Sequence, residues 1–138
     1  MAAASPLTST FGRLDFLYMP SRDVAADRTY FVSVLGGREV FAIEGMGTRV
    51  AAVEIGTSAP LLLFADHVDG EAPILVYRVN DLDAALTALE ERGWEREAVF
   101  EIPHGPCCSF RTPGGYRVAL YQLIRPEAAA HFEGRRDF

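Results

Sequence analysis

The chain repeats its own order of elements, and that repeat constrains the fold more than any single motif. An extended apolar run, a helical stretch opened by Asp23 and closed at Gly36, and three further extended runs are followed by the same series, with Asp81 and Gly93 in the matching places. The offsets are 58 for the aspartates (81 − 23) and 57 for the glycines (93 − 36). Leu61-Leu62-Leu63-Phe64 falls on Val118-Ala119-Leu120-Tyr121, also at 57. A repeated strand–helix–strand–strand–strand unit predicts one domain of two βαβββ modules.

The elements follow from local signals. Leu14–Met19 reads as a strand stopped by Pro20. Ser21 or Asp23 caps a helix over 24–35, whose apolar face is Val24, Tyr30, Phe31 and Val34, and Gly36-Gly37 ends it. Strands are expected at 39–43, 48–55 and 61–65. After the polar connector 66–72 the second unit begins: a strand at 74–79, a helix over 82–92 with Leu82, Leu86 and Leu89 on one face, and a strand at 96–102. A turn at His104-Gly105-Pro106 leads to a hairpin, Ser109-Phe110-Arg111 and 116–122, joined through Thr112-Pro113-Gly114-Gly115. The expected division is a tail at 1–11, a domain at 12–123 with modules at about 12–66 and 72–123, and a polar peripheral arm at 124–138.

Charge and cysteine content narrow the setting. The net charge of −6 argues against nucleic acid or an anionic membrane surface as partner. No apolar run is long enough to cross a membrane, and the N-terminus lacks the pattern of a secretory signal, so a cytoplasmic location is expected. The two cysteines are neighbours, Cys107 and Cys108. On an extended strand they point to opposite faces, so a disulfide between them would be strained.

Taken together, Tyr77 to Ala85, Gly93 and Phe110 to Tyr121, with Met19 to Asp23 and Phe31 to Gly37 in the first half, resemble the vicinal-oxygen-chelate superfamily. That superfamily includes glyoxalase I, extradiol dioxygenases, and fosfomycin- and bleomycin-resistance proteins. The resemblance spans roughly residues 12 to 123. It implies an α+β fold in which eight strands form an incomplete barrel around a cleft, with the helices outside, and it implies a homodimer. It also implies a divalent ion held by His, Gln or Glu from the first and fourth strands of each module. Here those positions fall on Phe16, Leu62, Ile74 and Ala119, none of which can ligate a metal. Asp15 is turned to the other face by strand alternation, and Glu71 lies in the connector. No metal or other cofactor is therefore expected at the usual site.

Alternation then gives an expected cleft lining. It comprises Phe16 and Tyr18 from the first strand, Leu62 and Phe64 from the fourth, Ile74, Val76 and Arg78 from the fifth, and Arg117, Ala119 and Tyr121 from the eighth. Leu17, Leu75, Tyr77, Val79 and Leu120 are left to pack beneath the helices. A two-residue hairpin turn would set Cys108 opposite Ala119 in the cleft, whereas a bulged turn would set Cys107 there. Such a pocket suits a planar or hydrophobic small molecule, unless the side chains simply fill the barrel. His104 with Cys107 could serve as base and nucleophile or as half a metal site, or be plain turn and strand residues. His67 reads as a loop residue, and Glu54 and Glu101 as solvent-facing strand residues or general bases. The function expected is small-molecule binding or sequestration. The alternatives are a metal-independent isomerase, lyase or hydrolase, and a metal-dependent lyase or dioxygenase with relocated ligands such as His67 and His104.

Overall fold

The computed structural model describes residues 11–56 and 59–138. Eight strands form a single mixed sheet: β1 (Leu14–Pro20), β2 (Arg38–Gly45), β3 (Thr48–Glu54), β4 (Leu61–Ala65), β5 (Ile74–Val79), β6 (Phe100–Ile102), β7 (Gly105–Arg111) and β8 (Arg117–Gln122). Their order across the sheet is β2-β3-β4-β1-β5-β8-β7-β6. Each module contributes one half, and the halves meet where β1 runs antiparallel to β5. The register there is reciprocal. Phe16 faces Val76 and Tyr18 faces Ile74, as expected for two copies related by the 58-residue offset of their first strands (74 − 16). Within each module the first strand pairs in parallel with the fourth. Almost the whole N-terminal tail lies outside the described residues. Its last residue, Phe11, sets its ring edge-on to Tyr77 at 5.1 Å.

Two helices pack on one face of the sheet. The first, α1 (Val24–Thr29), is capped by Asp23, whose carboxylate accepts from the Ala26 N–H at 3.0 Å. It runs on through one π-helical turn, Tyr30–Val34. The second, α2 (Leu82–Glu90), is capped likewise by Asp81, and Gln122 Oε1 accepts from the Leu82 N–H. Val24 joins Ala51, Val53 and Phe64 beneath α1. Leu82, Ala85 and Leu86 pack on Val79, Cys108 and Leu120 beneath α2.

The structure moves several expected boundaries and faces. Residues 95–99 carry no regular structure, so β6 is shorter than the strand expected from Arg96. β7 starts at Gly105, earlier than the hairpin signal suggested. The β7–β8 connection places Arg111 opposite Arg117, one residue beyond the simple hairpin register. Thr112 and Tyr116 hydrogen-bond across it. Cys108 therefore pairs with Leu120 beneath α2, not with Ala119, while Cys107 and Ser109 pair with Tyr121 and Ala119.

A similar correction applies to β4. Leu61 pairs with Phe16 and Leu63 with Tyr18, as Arg117 pairs with Ile74 and Ala119 with Val76. The fourth strands thus correspond at an offset of 56 (117 − 61), and a slip of one residue exchanges the two faces of a strand. Leu62 and Phe64, expected in the cleft, belong to the helix side instead.

The C-terminal arm does more than hang at the periphery. The N–H groups of Ile124 and Arg125 donate to the His104 carbonyl. A third helix follows, α3 (Glu127–Phe132). The chain then reaches the outer edge of β2, where Ala42 and Arg136 form a parallel bridge. Gly134 N–H donates to Val40 and Asp137 N–H to Ala42. The arm thus spans from the β6–β7 corner to the opposite end of the sheet. Among the described residues, no helix is long and apolar enough to cross a membrane.

Candidate functional site

The face of the sheet away from α1 and α2 holds a cleft of about 440 Å³. Its floor is apolar because the alternate residues of the central strands turn toward it: Phe16 and Tyr18 from β1, Leu63 from β4, Ile74 and Val76 from β5, Ala119 from β8. Phe132 of α3 closes part of one wall. Its ring lies 5.6 Å from that of Phe41. Of the side chains expected in the cleft, Phe16, Tyr18, Ile74, Val76, Arg117 and Ala119 line it. Tyr121 packs among the buried residues of its floor with Cys107. Leu62, Phe64 and Cys108 do not reach it. Arg78 lies farther along the same face, in a second, polar hollow.

Five polar residues interrupt the apolar lining: His67, Asp69, His104, Ser109 and Arg117. The two histidines, 37 residues apart in sequence (104 − 67), border one cleft because the 66–72 connector and the β6–β7 corner flank its rim. His104 sits 5.6 Å from the Phe16 ring and 5.9 Å from that of Tyr121. Burial holds its pKa below the ordinary imidazole value, only partly offset by the Asp15 charge. His67 stands edge-on to Tyr18 at 5.9 Å. Arg117 is anchored by a hydrogen bond to the Asp69 carbonyl.

Cys107 is a poor nucleophile. Burial, with the neighbouring Cys108, pushes its thiol up to about 12, so almost none is thiolate near neutral pH. The other carboxylates weighed as bases are paired: Glu54 with Arg38, and Glu101 with Arg125 at the exposed corner.

Asp15 is the residue that alternation misplaced. The β1–β5 register shifts between Leu14 and Phe16. That bulge brings the Asp15 carboxylate to the cleft side of β1, where its side chain is 3% exposed. It accepts from Arg13 Nε at 2.6 Å, Arg78 Nε at 2.7 Å and Tyr121 Oη at 2.5 Å. Burial raises its pKa, but these three donors together outweigh that and hold it below the ordinary carboxylate value. The Tyr121 hydroxyl is pushed up in turn by burial and by the same carboxylate.

Compared by sequence, the chain matches no family model and no curated protein. Its structure is similar to solved ones. The methylmalonyl-CoA epimerase of Mycobacterium tuberculosis superposes with a TM-score of 0.69 at 22% identity, covering 89% of this chain and 95% of that one. A Streptomyces coelicolor methylmalonyl-CoA epimerase gives 0.66 at 15% identity over 84% of this chain and all of its own. A catechol 2,3-dioxygenase gives 0.65 at 15% identity over 83% of this chain and 42% of its own.

The fold is that of the vicinal-oxygen-chelate superfamily.

The metal expected of that superfamily can be tested against the residues present. The first-strand positions are Phe16 and Ile74. The fourth-strand positions that face the cleft are Leu63 and Ala119. None carries a donor atom. Asp15, beside Phe16 on β1, has both oxygens committed to arginine and tyrosine. His67 and His104 border the cleft without a third donor: among the described residues, no three His, Cys, Asp or Glu side chains gather as an ion would need. The donor set does not fit a metal at the superfamily position.

Proposed function

We propose that this protein binds an apolar, partly planar small molecule in the cleft, without an intrinsic metal. The observation that carries this reading is the cleft itself. Its volume, about 440 Å³, falls within the range of small-molecule sites. Its aromatic and aliphatic floor would remove an apolar ligand from water, while His67, His104, Ser109 and Arg117 offer a few polar contacts for orientation. The neutral fluorophore N-phenyl-1-naphthylamine tests it. Saturable binding of one equivalent is expected, and Ala119→Phe, which fills the floor, should abolish it while the circular dichroism spectrum is kept. Absence of saturable binding to the unaltered protein would sink the proposal.

One observation favours a second reading, metal-independent acid–base catalysis. His104 is held largely neutral by burial at the cleft wall, as a general base near neutral pH would need to be. Turnover of a bound compound that disappears in His104→Gln, with binding retained, would select this reading.

A further inference from the structure

A second hollow of about 250 Å³ lies on the same face of the sheet, on the other side of Phe16, which lines both. Strand alternation places the two on one face, side by side. Leu61 beneath this hollow and Leu63 beneath the cleft are two residues apart on β4, and Glu54 and Val50 are four apart on β3. Its walls are charged, with Arg13, Arg38 and Arg78 set against Asp15, Glu54 and Glu133.

The three guanidinium groups are engaged alike. Arg13 and Arg78 reach Asp15, and Arg38 reaches Glu54, each through Nε. Arg78 also lies within reach of the Tyr121 hydroxyl, whereas among the described residues no terminal nitrogen of Arg13 or Arg38 donates a hydrogen bond to the protein. Two arginines converge on one buried carboxylate, so a positive charge is left in excess at that point. Asp15 holds both in place and cannot leave, being 3% exposed and also bonded to Tyr121. Planar guanidinium forks with free terminal N–H groups match the two oxygens of a carboxylate. The opposing Glu54 and Glu133 favour a single negative charge over a double one.

We propose that this hollow is a carboxylate subsite, and that the ligand is an amphipathic monocarboxylate whose apolar body passes Phe16 into the cleft. This rests on the reading of the cleft as a small-molecule site. The charge of the chain as a whole gives no hint of it: the net −6 would favour a cation, and the hollow, with three arginines and three carboxylates, is balanced, so the preference rests on the unshared guanidinium N–H groups.

Calorimetric titration with 4-phenylbutyrate and with 4-phenylbutanamide, which differ only in the head group, tests the proposal. The acid should bind about ten-fold more tightly, the worth of one charge-assisted hydrogen-bonded pair, and the preference should shrink as salt is raised. Arg13→Gln should reduce that preference to about three-fold or less. Arg38→Gln, in an exposed pair, serves as the second variant. Equal affinity for acid and amide would overturn the carboxylate subsite and leave the cleft reading standing. So would binding of neither by a protein that still takes up N-phenyl-1-naphthylamine. If that neutral probe is also refused, both readings fall.

Discussion

Asp15 shows how much one residue of register can change. Alternation along β1 would turn it beneath the helices, where a carboxylate would be buried without a partner. The bulge instead delivers it to Arg13, Arg78 and Tyr121. Because its pKa is lower in the folded state than unfolded, its contribution to stability is complete above the ordinary carboxylate value near 4 and is lost as pH falls through the folded value. Chemical denaturation across pH 2–6 should therefore steepen below about pH 4, and Asp15→Asn should flatten part of that slope. Tyr121→Phe removes one of three donors to a buried carboxylate and should cost about 1–2 kcal/mol in the same assay. His104 acts in the same direction at higher pH. Its depressed pKa makes the unfolded chain the better proton acceptor, so stability is full above the ordinary imidazole value near 6.5 and declines as pH drops through it. That decline should be absent in His104→Gln. Cys107, with its thiol raised to about 12, should react with an aromatic disulfide at pH 8 only after unfolding. The donors of Asp15 could not be read from the sequence, because a bulge leaves no signature in a run such as Leu14-Asp15-Phe16.

At the level of elements, the two helices of the repeat and the succession of strands along the chain were legible, and the third helix and the registers were not. Asp23 and Asp81 cap the helices as their positions suggested, because a short acidic side chain before an apolar 3.6-residue pattern has one favourable use. Leu86, on the buried face of α2, is fully enclosed by Val79, Cys108 and Leu120. Leu86→Ala should lower stability by about 2–5 kcal/mol in urea or thermal unfolding. Registers depend on connections, where one residue more or less costs little locally yet reverses a strand. The connection through Thr112-Pro113-Gly114-Gly115 was recognisable as a turn, but its length decided whether Cys107 or Cys108 would meet the cleft. The same uncertainty moved Leu62 and Phe64 to the helix side. Gly105 opens β7 for a reason only the packing reveals: a Cβ there would strike the Gln122 carbonyl oxygen of β8. Gly105→Ala should therefore disrupt the corner that holds His104, and should be visible as a changed His104 imidazole resonance before any loss of overall fold.

For the whole molecule, the internal repeat carried the architecture, since two βαβββ units side by side leave few ways to arrange eight strands. It carried nothing about the segment that follows the second copy. That arm crosses from the His104 carbonyl to the β2 edge, and Phe138 is built into the opposite module. The Phe138 ring packs with Val24, Ala42, Ala51, Val53 and Phe64, and the guanidinium groups of Arg28 and Arg49 lie 5.0 and 4.5 Å from its centre. Arg28 Nη1 also donates to its main-chain oxygen. A polar composition concealed this, because one phenylalanine among charged neighbours reads as a tail. Phe138→Ala should raise hydrogen exchange along β2, whose outer edge the arm covers, and leave β7 and β8 unaffected. The placement of Phe138 also imposes an order on biosynthesis. The first module leaves the ribosome early, yet its apolar core lacks one wall until residue 138 has been released. Through translation of the second module the nascent first half carries an uncovered β2 edge and an incomplete interior, so chaperone contact with the growing chain should persist until Phe138 has emerged.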